Sequence, residues 1–195
     1  RTGEHGGFRE YELVLINECL AALKGMDCAM YDVIEQEVFE TYKDQTYLYS
    51  RQLFQTLKAQ GYVMVAVTGS PEGIIQKLAN HYAFDFVRSA KFHKEGNAFT
   101  GEVYTPIFEK AKVLQQLIEE HNLDITDSYA IGDSKTDAAM LKLVSRPIAF
   151  NPDKGLLMEA QKHHWKIVLE RKSVIYELGF QNGSYTLVSG KPTAG

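Results

Sequence analysis

Two aspartates four residues apart, Asp133 and Asp137, stand where an apolar segment gives way to a helix in the stretch "YAIGDSKTDAAML". At a helix start, that spacing lets the turn direct both carboxylates toward one point. One interpretation is structural, because carboxylates near a helix N-terminus cap free N–H groups and interact favourably with the helix dipole. The other is a Mg²⁺ site, since Mg²⁺ takes a few hard oxygen ligands and leaves its other positions to water and phosphate. The pair alone favours neither interpretation.

Two further groups could serve phosphate chemistry. Thr68, Gly69 and Ser70 follow the apolar run "YVMVAV" and precede a helix that Pro71 opens, so a hydroxyl and two N–H groups could hold phosphate there. Helix capping is the commoner use of such a threonine. Lys110 lies on an amphipathic segment, where most lysines face solvent, but a lysine at a phosphate site neutralises the charge of the phosphate and of an attacking carboxylate.

The elements that must position these groups differ between the two parts of the chain. Residues 8–60 show apolar residues at helical spacing, beginning with a stripe that includes Tyr11, and the pattern breaks at Gly25. A third helix is predicted from about Leu48 and is stopped by Gly61. The sequence therefore predicts a helical segment before any strand.

From residue 61 onward, short β-branched runs alternate with amphipathic segments, which predicts an α/β domain with a parallel sheet and right-handed crossovers. We expect strands near 62–67, 83–90, 129–131, 147–150 and 166–170, and a helix that Pro106 opens behind a Thr105 cap. The stretch "NAFTGEVY" is a hairpin or loop, and the polar residues after Gly179 are predicted to be loosely held. Ligands of such sheets bind at the carboxyl ends of the strands, where Thr68 and Asp133 fall.

Composition narrows the partners. The 195 residues carry a formal net charge of −4, so no broad basic surface for nucleic acid or anionic lipid is expected. No run approaches the roughly 18 apolar residues of a membrane span, which predicts no membrane partner. Cys19 and Cys28 form neither a CxxC pair nor a disulfide framework, as is typical of a cytoplasmic protein.

Taken in order, "TGSPEGIIQKLA", "EKAKVLQQL" and "YAIGDSKTDAAMLKLVSRPIAFNP" resemble motifs two, three and four of the haloacid dehalogenase superfamily, in its phosphoserine-phosphatase-like branch (subfamily IB). The resemblance runs from about Tyr11 to Glu177. It implies a Rossmann-like α/β core over residues 61–178, a partial helical cap over 1–60 and a polar tail over 179–195. It also implies a Mg²⁺-dependent phosphatase of a small phosphorylated metabolite.

By the same resemblance, Thr68 is the hydroxyl of motif two and contributes to phosphate binding with its two neighbours. Lys110 is the lysine of motif three, chosen over Lys112 because it better matches the family's K-x-x-V-L pattern. Asp133 is expected to bind Mg²⁺ directly, whereas Asp137 is expected to hold a metal-bound water or Lys110.

Three polar residues are weaker candidates. Asn151 follows the next strand, where it could hydrogen-bond at the site or simply form an Asx turn. Arg51 and Arg88 could contact substrate, although solvated surface is the commoner state of such arginines.

The family's first motif, an apolar strand ending DxDx[TV], is not found. Its first Asp attacks phosphorus and its second protonates the leaving group. "ELVLINECL" could be a degenerate copy with Asn17 and Cys19 in the two Asp positions, but its apolar spacing fits a cap helix better. In this fold the first-motif strand lies in the middle of the sheet, and its omission leaves neighbouring strands with unpaired backbone groups. We therefore expect the natural protein to extend upstream of Arg1 and to carry this motif there.

Two alternatives stay open. A degenerate scaffold would bind phosphate or a partner without catalysis, and the coding sequence upstream of Arg1 distinguishes it from an enzyme. A phosphotransferase would keep the chemistry but pass the phosphoryl group to another hydroxyl. Because the attacking group is missing, we expect these 195 residues alone to be inactive.

Overall fold

The computed structural model describes residues 7–192, and its side chains from residue 13 onward. Residues 1–6 and 193–195 and the side chain of Tyr11 lie outside this description. The first part of the chain is helical, as predicted: α1 is Gly7–Leu23, α2 is Cys28–Tyr42 and α3 is Leu48–Ala59. Because "ELVLINECL" lies within α1, its interpretation as a copy of a strand is wrong.

The rest of the chain has the predicted alternation of strands and helices. In chain order these elements are β1 (Val65–Pro71), α4 (Glu72–Tyr82), β2 (Phe86–Glu95), β3 (Ala98–Tyr104), α5 (Lys110–His121), β4 (Tyr129–Gly132), α6 (Ala138–Leu141), β5 (Arg146–Phe150), α7 (Lys154–His163), β6 (Lys166–Arg171), β7 (Val174–Gln181) and β8 (Ser184–Pro192). A 3₁₀ turn, Lys135–Asp137, precedes α6. The predicted α/β class with parallel strand pairs is confirmed, and "NAFTGEVY" forms the second strand of a hairpin.

Helix α5 begins at Lys110 and not at Pro106, so the predicted start is wrong by one turn. Residues 105–109 instead form a tight turn, in which the Glu109 N–H donates to the Pro106 carbonyl at 2.9 Å. The turn brings Ile107 onto Gly69, where an added Cβ would lie 2.9 Å from the Ile107 Cδ1. This tertiary contact outweighs the local start signal of Thr105 and Pro106.

The prediction of a loosely held tail after Gly179 is also wrong within the described residues. Strand β8 pairs antiparallel with β7 along its length, which extends the sheet. Tyr185 anchors the hairpin because its hydroxyl donates to the carbonyls of Ala160 and Trp165, at 2.7 and 2.8 Å. Phe180 stacks on His164 with ring centroids 3.6 Å apart. These contacts stabilise a segment whose composition alone looks weakly structured.

In the described residues, the strands form two separate sheets. One has the order β1-β2-β3 and the other β4-β5-β6-β7-β8. Each of β1 and β4 is an edge strand, since β1 pairs only with β2 and β4 only with β5 in this part of the chain. Between them lies a cavity of about 830 Å³, and its walls include Val65–Thr68 of β1, Tyr129–Ile131 of β4, and apolar residues of the flanking helices.

Helix α3 connects the sheets across this cavity. Helix α3 packs Leu53 on the second sheet, whereas its Phe54 contacts Phe84 beside the first. The second sheet fixes the start of α3 through Glu170 of β6, whose carboxylate accepts the N–H groups of Leu48 and Tyr49, both at 2.9 Å. No helix within residues 7–192 is long and apolar enough to cross a membrane.

Candidate functional site

The end of β4 is built around the buried carboxylate of Asp137. Its Oδ1 lies 2.6 Å from the Lys110 Nζ, and its Oδ2 accepts the N–H groups of Asp133 and Ser134, each at 3.1 Å. Ser134 caps the 3₁₀ turn and also donates its hydroxyl to Oδ2 at 3.2 Å. Gly132 allows this approach, since a Cβ there would come 2.5 Å from that of Asp137. Asp137 therefore holds the turn and the lysine together.

The two lysines that the sequence left as candidates have different surroundings. The Lys110 side chain is only 13% exposed and ion-pairs with Asp137, whose side chain is 5% exposed. Lys112 is exposed and lies 3.5 Å from Glu109 on the helix surface. The geometry thus favours Lys110 as the lysine that belongs to the site.

Asp133 is exposed to solvent, and the pKa of its carboxyl is shifted. Partial desolvation raises the pKa of its carboxyl, and the negative charge of Asp137 raises it further, while Lys110 opposes the shift. A carboxylate that protein surroundings and a like charge destabilise is one that a bound cation would relieve. Asp133 is therefore the exposed carboxylate of the cluster, and Lys110 only partly compensates its negative charge.

Asp153 was not predicted from the sequence, and it contacts the turn that carries Asp133. Its N–H donates to the Asp133 carbonyl at 2.7 Å, and its Oδ2 accepts the Lys135 N–H at 3.1 Å. Its other oxygen caps α7 by accepting the Leu156 N–H at 2.6 Å. The signal was an Asp between a strand and a helix, which by itself indicates only an N-cap.

Thr68, Gly69 and Ser70 lie in the other sheet, at the end of β1. They are extended and do not form a turn; the pairing with β2 is irregular between Val67 and Pro71, and α4 begins after Pro71. Thr68 does not cap α4; its Oγ1 accepts the Ser70 N–H at 3.1 Å and donates to the Ser70 Oγ at 3.2 Å.

The start of α5 connects the two groups. Ile107 packs on Gly69, and Lys110, three residues further along the chain, contacts Asp137. Three residues span at most about 11 Å, so the β1 and β4 ends are held close to each other.

The weaker candidates are engaged elsewhere or lie at the cavity. The Asn151 side-chain oxygen accepts the Glu170 N–H at 2.9 Å, which links β5 to β6. Arg88 forms an exposed ion pair with Glu120 at 2.7 Å. Arg51 borders the cavity between the sheets.

The oxygen donors at the β4 end fit Mg²⁺ in type and charge. The negative charges of Asp137 and Asp153 act on Asp133, and Lys110, which ion-pairs with Asp137, opposes them. Among the described residues, no three His, Cys, Asp or Glu side chains converge as a complete metal cage. Mg²⁺ is commonly bound through one or two carboxylates, with water and phosphate in its other positions.

Known proteins resemble the chain in sequence and in fold. The model of the haloacid dehalogenase-like hydrolase family matches residues 7–142. A phosphoserine phosphatase of Lactococcus lactis is 29% identical over 138 residues, which cover 69% of this chain and 61% of that protein. The chain thus spans less than two thirds of that relative.

Two solved structures share the fold. A Bordetella pertussis protein of unknown function aligns with a TM-score of 0.67 and 22% identity, over 78% of this chain and 71% of that one. A phospho-aspartyl intermediate analogue of phosphoserine phosphatase aligns with a TM-score of 0.61 and 20% identity, over 80% and 71%. At these identities the two structures support the fold alone.

Proposed function

Because the chain belongs to the haloacid dehalogenase-like hydrolase family, we propose that it supplies the phosphate- and metal-binding part of a Mg²⁺-dependent phosphomonoester hydrolase. The observation that carries the proposal is the contact of Lys110 with Asp137, which fixes a lysine beside the solvent-facing carboxylate of Asp133. A cation and metal-binding oxygens held together are what the transfer of a phosphoryl group requires.

Each residue has a role that follows from its contacts. Asp133 would bind Mg²⁺, and bound Mg²⁺ would supply neutralisation of charge on the phosphate oxygens. Asp137 holds the turn and Lys110, and its three donors to Oδ2 leave it a supporting residue. The Lys110 ammonium attracts the phosphate, which the Thr68 hydroxyl binds from the β1 side with Gly69 and Ser70 beside it; the Ser70 N–H already donates to the Thr68 Oγ1.

The attacking carboxylate is assigned to a strand outside the described residues. We place that strand between β1 and β4, because each offers an unpaired edge and the cavity between them is walled by apolar side chains. A strand there would hydrogen-bond to both edges and bury its side chains on both faces. It would also deliver an Asp to the end of the sheet where Thr68 and Asp133 lie.

The reaction then proceeds in two steps. The Asp oxygen attacks phosphorus, the bond from phosphorus to the substrate oxygen breaks, and a second acid protonates the leaving alcohol. Water next attacks the aspartyl-phosphate, which releases inorganic phosphate and restores the carboxylate. Lys110 stabilises the negative charge that develops on the phosphoryl oxygens in both steps.

The substrate class is a small phosphorylated metabolite. The Lactococcus lactis relative is a phosphoserine phosphatase, which supports a small phosphomonoester as the substrate. We assign the choice of substrate to the predicted cap, residues 1–60, over the core of residues 61–178, because an enclosed site excludes water and selects by shape.

The test compares two proteins: the 195-residue chain, and the same chain extended by its upstream coding sequence. Mg²⁺-dependent hydrolysis of an aryl phosphate should appear only in the extended protein and should be lost in its Asp133→Asn variant. Robust hydrolysis by the 195-residue chain would refute the missing strand, and near-normal rates in Asp133→Asn would refute the metal site. Added alcohol acceptors separate hydrolysis from phosphotransfer, because a transferase forms a phosphorylated alcohol.

A further inference from the structure

Asp153 makes more contacts than its position at a helix start requires. As N-cap of α7, it needs only the bond from the Leu156 N–H to Oδ1. It makes two further hydrogen bonds, both to the turn that carries Asp133: its N–H donates to the Asp133 carbonyl, and its Oδ2 accepts the Lys135 N–H. One residue therefore holds the turn at two points.

These two points lie on either side of Ser134. The Asp133 carbonyl and the Lys135 N–H belong to the two peptide groups that flank Ser134. The Lys135 side chain also lies directly on Gly155, so the turn and the start of α7 are in close contact. Because the backbone is fixed at both positions, the Asp133 side chain can adopt few orientations. Residues that do not touch a metal orient its ligands in the same way.

We propose that Asp153 is a positioning residue for the Asp133 turn, acting as a clamp that pre-organises the Mg²⁺ ligand without touching the ion. This inference rests on the proposed function, since it assumes that Asp133 is the ligand. It adds a residue to the site that the three sequence motifs do not contain, and a link between α7 and the metal-binding turn.

Two substitutions separate the clamp from the helix cap. In Asp153→Ser the hydroxyl can still cap α7, but it offers one oxygen where two are used. In Asp153→Asn the cap is retained, whereas an amide N–H₂ can face the Lys135 N–H and repel it. The matched control is Asp27→Ser, because Asp27 caps α2 by accepting the N–H groups of Ala29 and Met30 and has no contact with the turn.

The probe is Mn²⁺, which takes the same oxygen ligands and whose free ion is measured by electron paramagnetic resonance. We expect both Asp153 variants of the 195-residue chain to bind Mn²⁺ about 10- to 100-fold more weakly than the wild type. Amide hydrogen exchange at Lys135 should accelerate in both. Asp27→Ser should change neither quantity.

The outcomes are distinguishable. Mn²⁺ affinities within twofold of the wild type in both Asp153 variants, with α7 still protected from exchange, would overturn the clamp and leave the proposed function standing. No saturable Mn²⁺ binding by the wild-type chain would refute the Asp133 metal site, and with it the role of Asp153. An equal loss in Asp27→Ser would show a general effect of helix capping and would also overturn the clamp.

Discussion

The ion pair of Lys110 and Asp137 allows a quantitative test of the site without any assay of activity. Replacing Lys110 by Met keeps most of the apolar stem but removes the charge. Asp137 then remains buried, with its Oδ1 deprived of the cation that lies 2.6 Å away. The substitution should therefore destabilise the fold more than a lysine on a helix normally would.

The expected size follows from the burial of both partners. Removal of one partner of a buried pair costs about 3–5 kcal/mol, because the other charge is left uncompensated. Asp137 keeps three hydrogen-bond donors on its Oδ2, which places the estimate at the lower end, about 3 kcal/mol. For a chain of this length, that corresponds to a fall in Tm of roughly 6–12 °C.

The control lies two residues away on the same helix. Lys112→Met removes an exposed lysine with a 3.5 Å pair to Glu109, and surface pairs contribute about 0–1 kcal/mol. Urea unfolding in EDTA gives the free energy of unfolding of both variants without a metal contribution. Surface substitutions change the free energy of unfolding by about 0.5 kcal/mol or less. If the values for Lys110→Met and Lys112→Met differ by no more than about 0.5 kcal/mol, the assignment is refuted. Adding Asp137→Asn to Lys110→Met should recover part of the loss, because no buried charge then remains.

Three further predictions concern the contacts around the site. Glu170→Ala should lower the free energy of unfolding by about 1–2 kcal/mol, because it frees two N–H groups at the start of α3; an unchanged urea midpoint would contradict this. Burial raises the pKa of Glu35, which accepts the Ile74 N–H, so the stability that its protonated form gives is present at low pH and is lost as pH rises through the folded-state pKa. The stability of Glu35→Gln relative to the wild type should therefore increase as pH rises through that pKa. A difference in the free energy of unfolding that does not change with pH would exclude the effect. Tyr185→Phe leaves two carbonyls without their donor and should cost about 1–2 kcal/mol, measured by thermal unfolding.

Local sequence signals predicted the order of elements well. The helical first part, the strand before Thr68 and the strand before Asp133 all follow from periodicity and from Gly and Pro positions. The errors occurred where a contact with residues elsewhere in the chain determines the local structure. The start of α5 moved to Lys110 because Ile107 packs on Gly69, and β8 is ordered because it pairs with β7.

The site shows the same division. The contact of Lys110 with Asp137 joins residues that separate motifs had already singled out. Asp153 and Glu170 were missed because their carboxylates act on backbone groups elsewhere in the chain, 18 residues away for Lys135 and more than 120 for Leu48 and Tyr49. A carboxylate that accepts remote N–H groups leaves no periodic or spaced signal in the sequence.

The cavity between β1 and β4 connects stability with the proposed chemistry. Thr68, which is proposed to bind phosphate, and Asp133, which is proposed to bind the metal, belong to different sheets, and the start of α5 is a short covalent link between their contacts. A strand paired with both edges would fix the distance between the two sides and bury the apolar walls of the cavity at about 25 cal/mol per Å². The same strand would carry the attacking Asp. If the proposed strand carries the nucleophile, its loss would also loosen the two groups proposed to bind phosphate and metal, so stability and turnover should rise together when the strand is present.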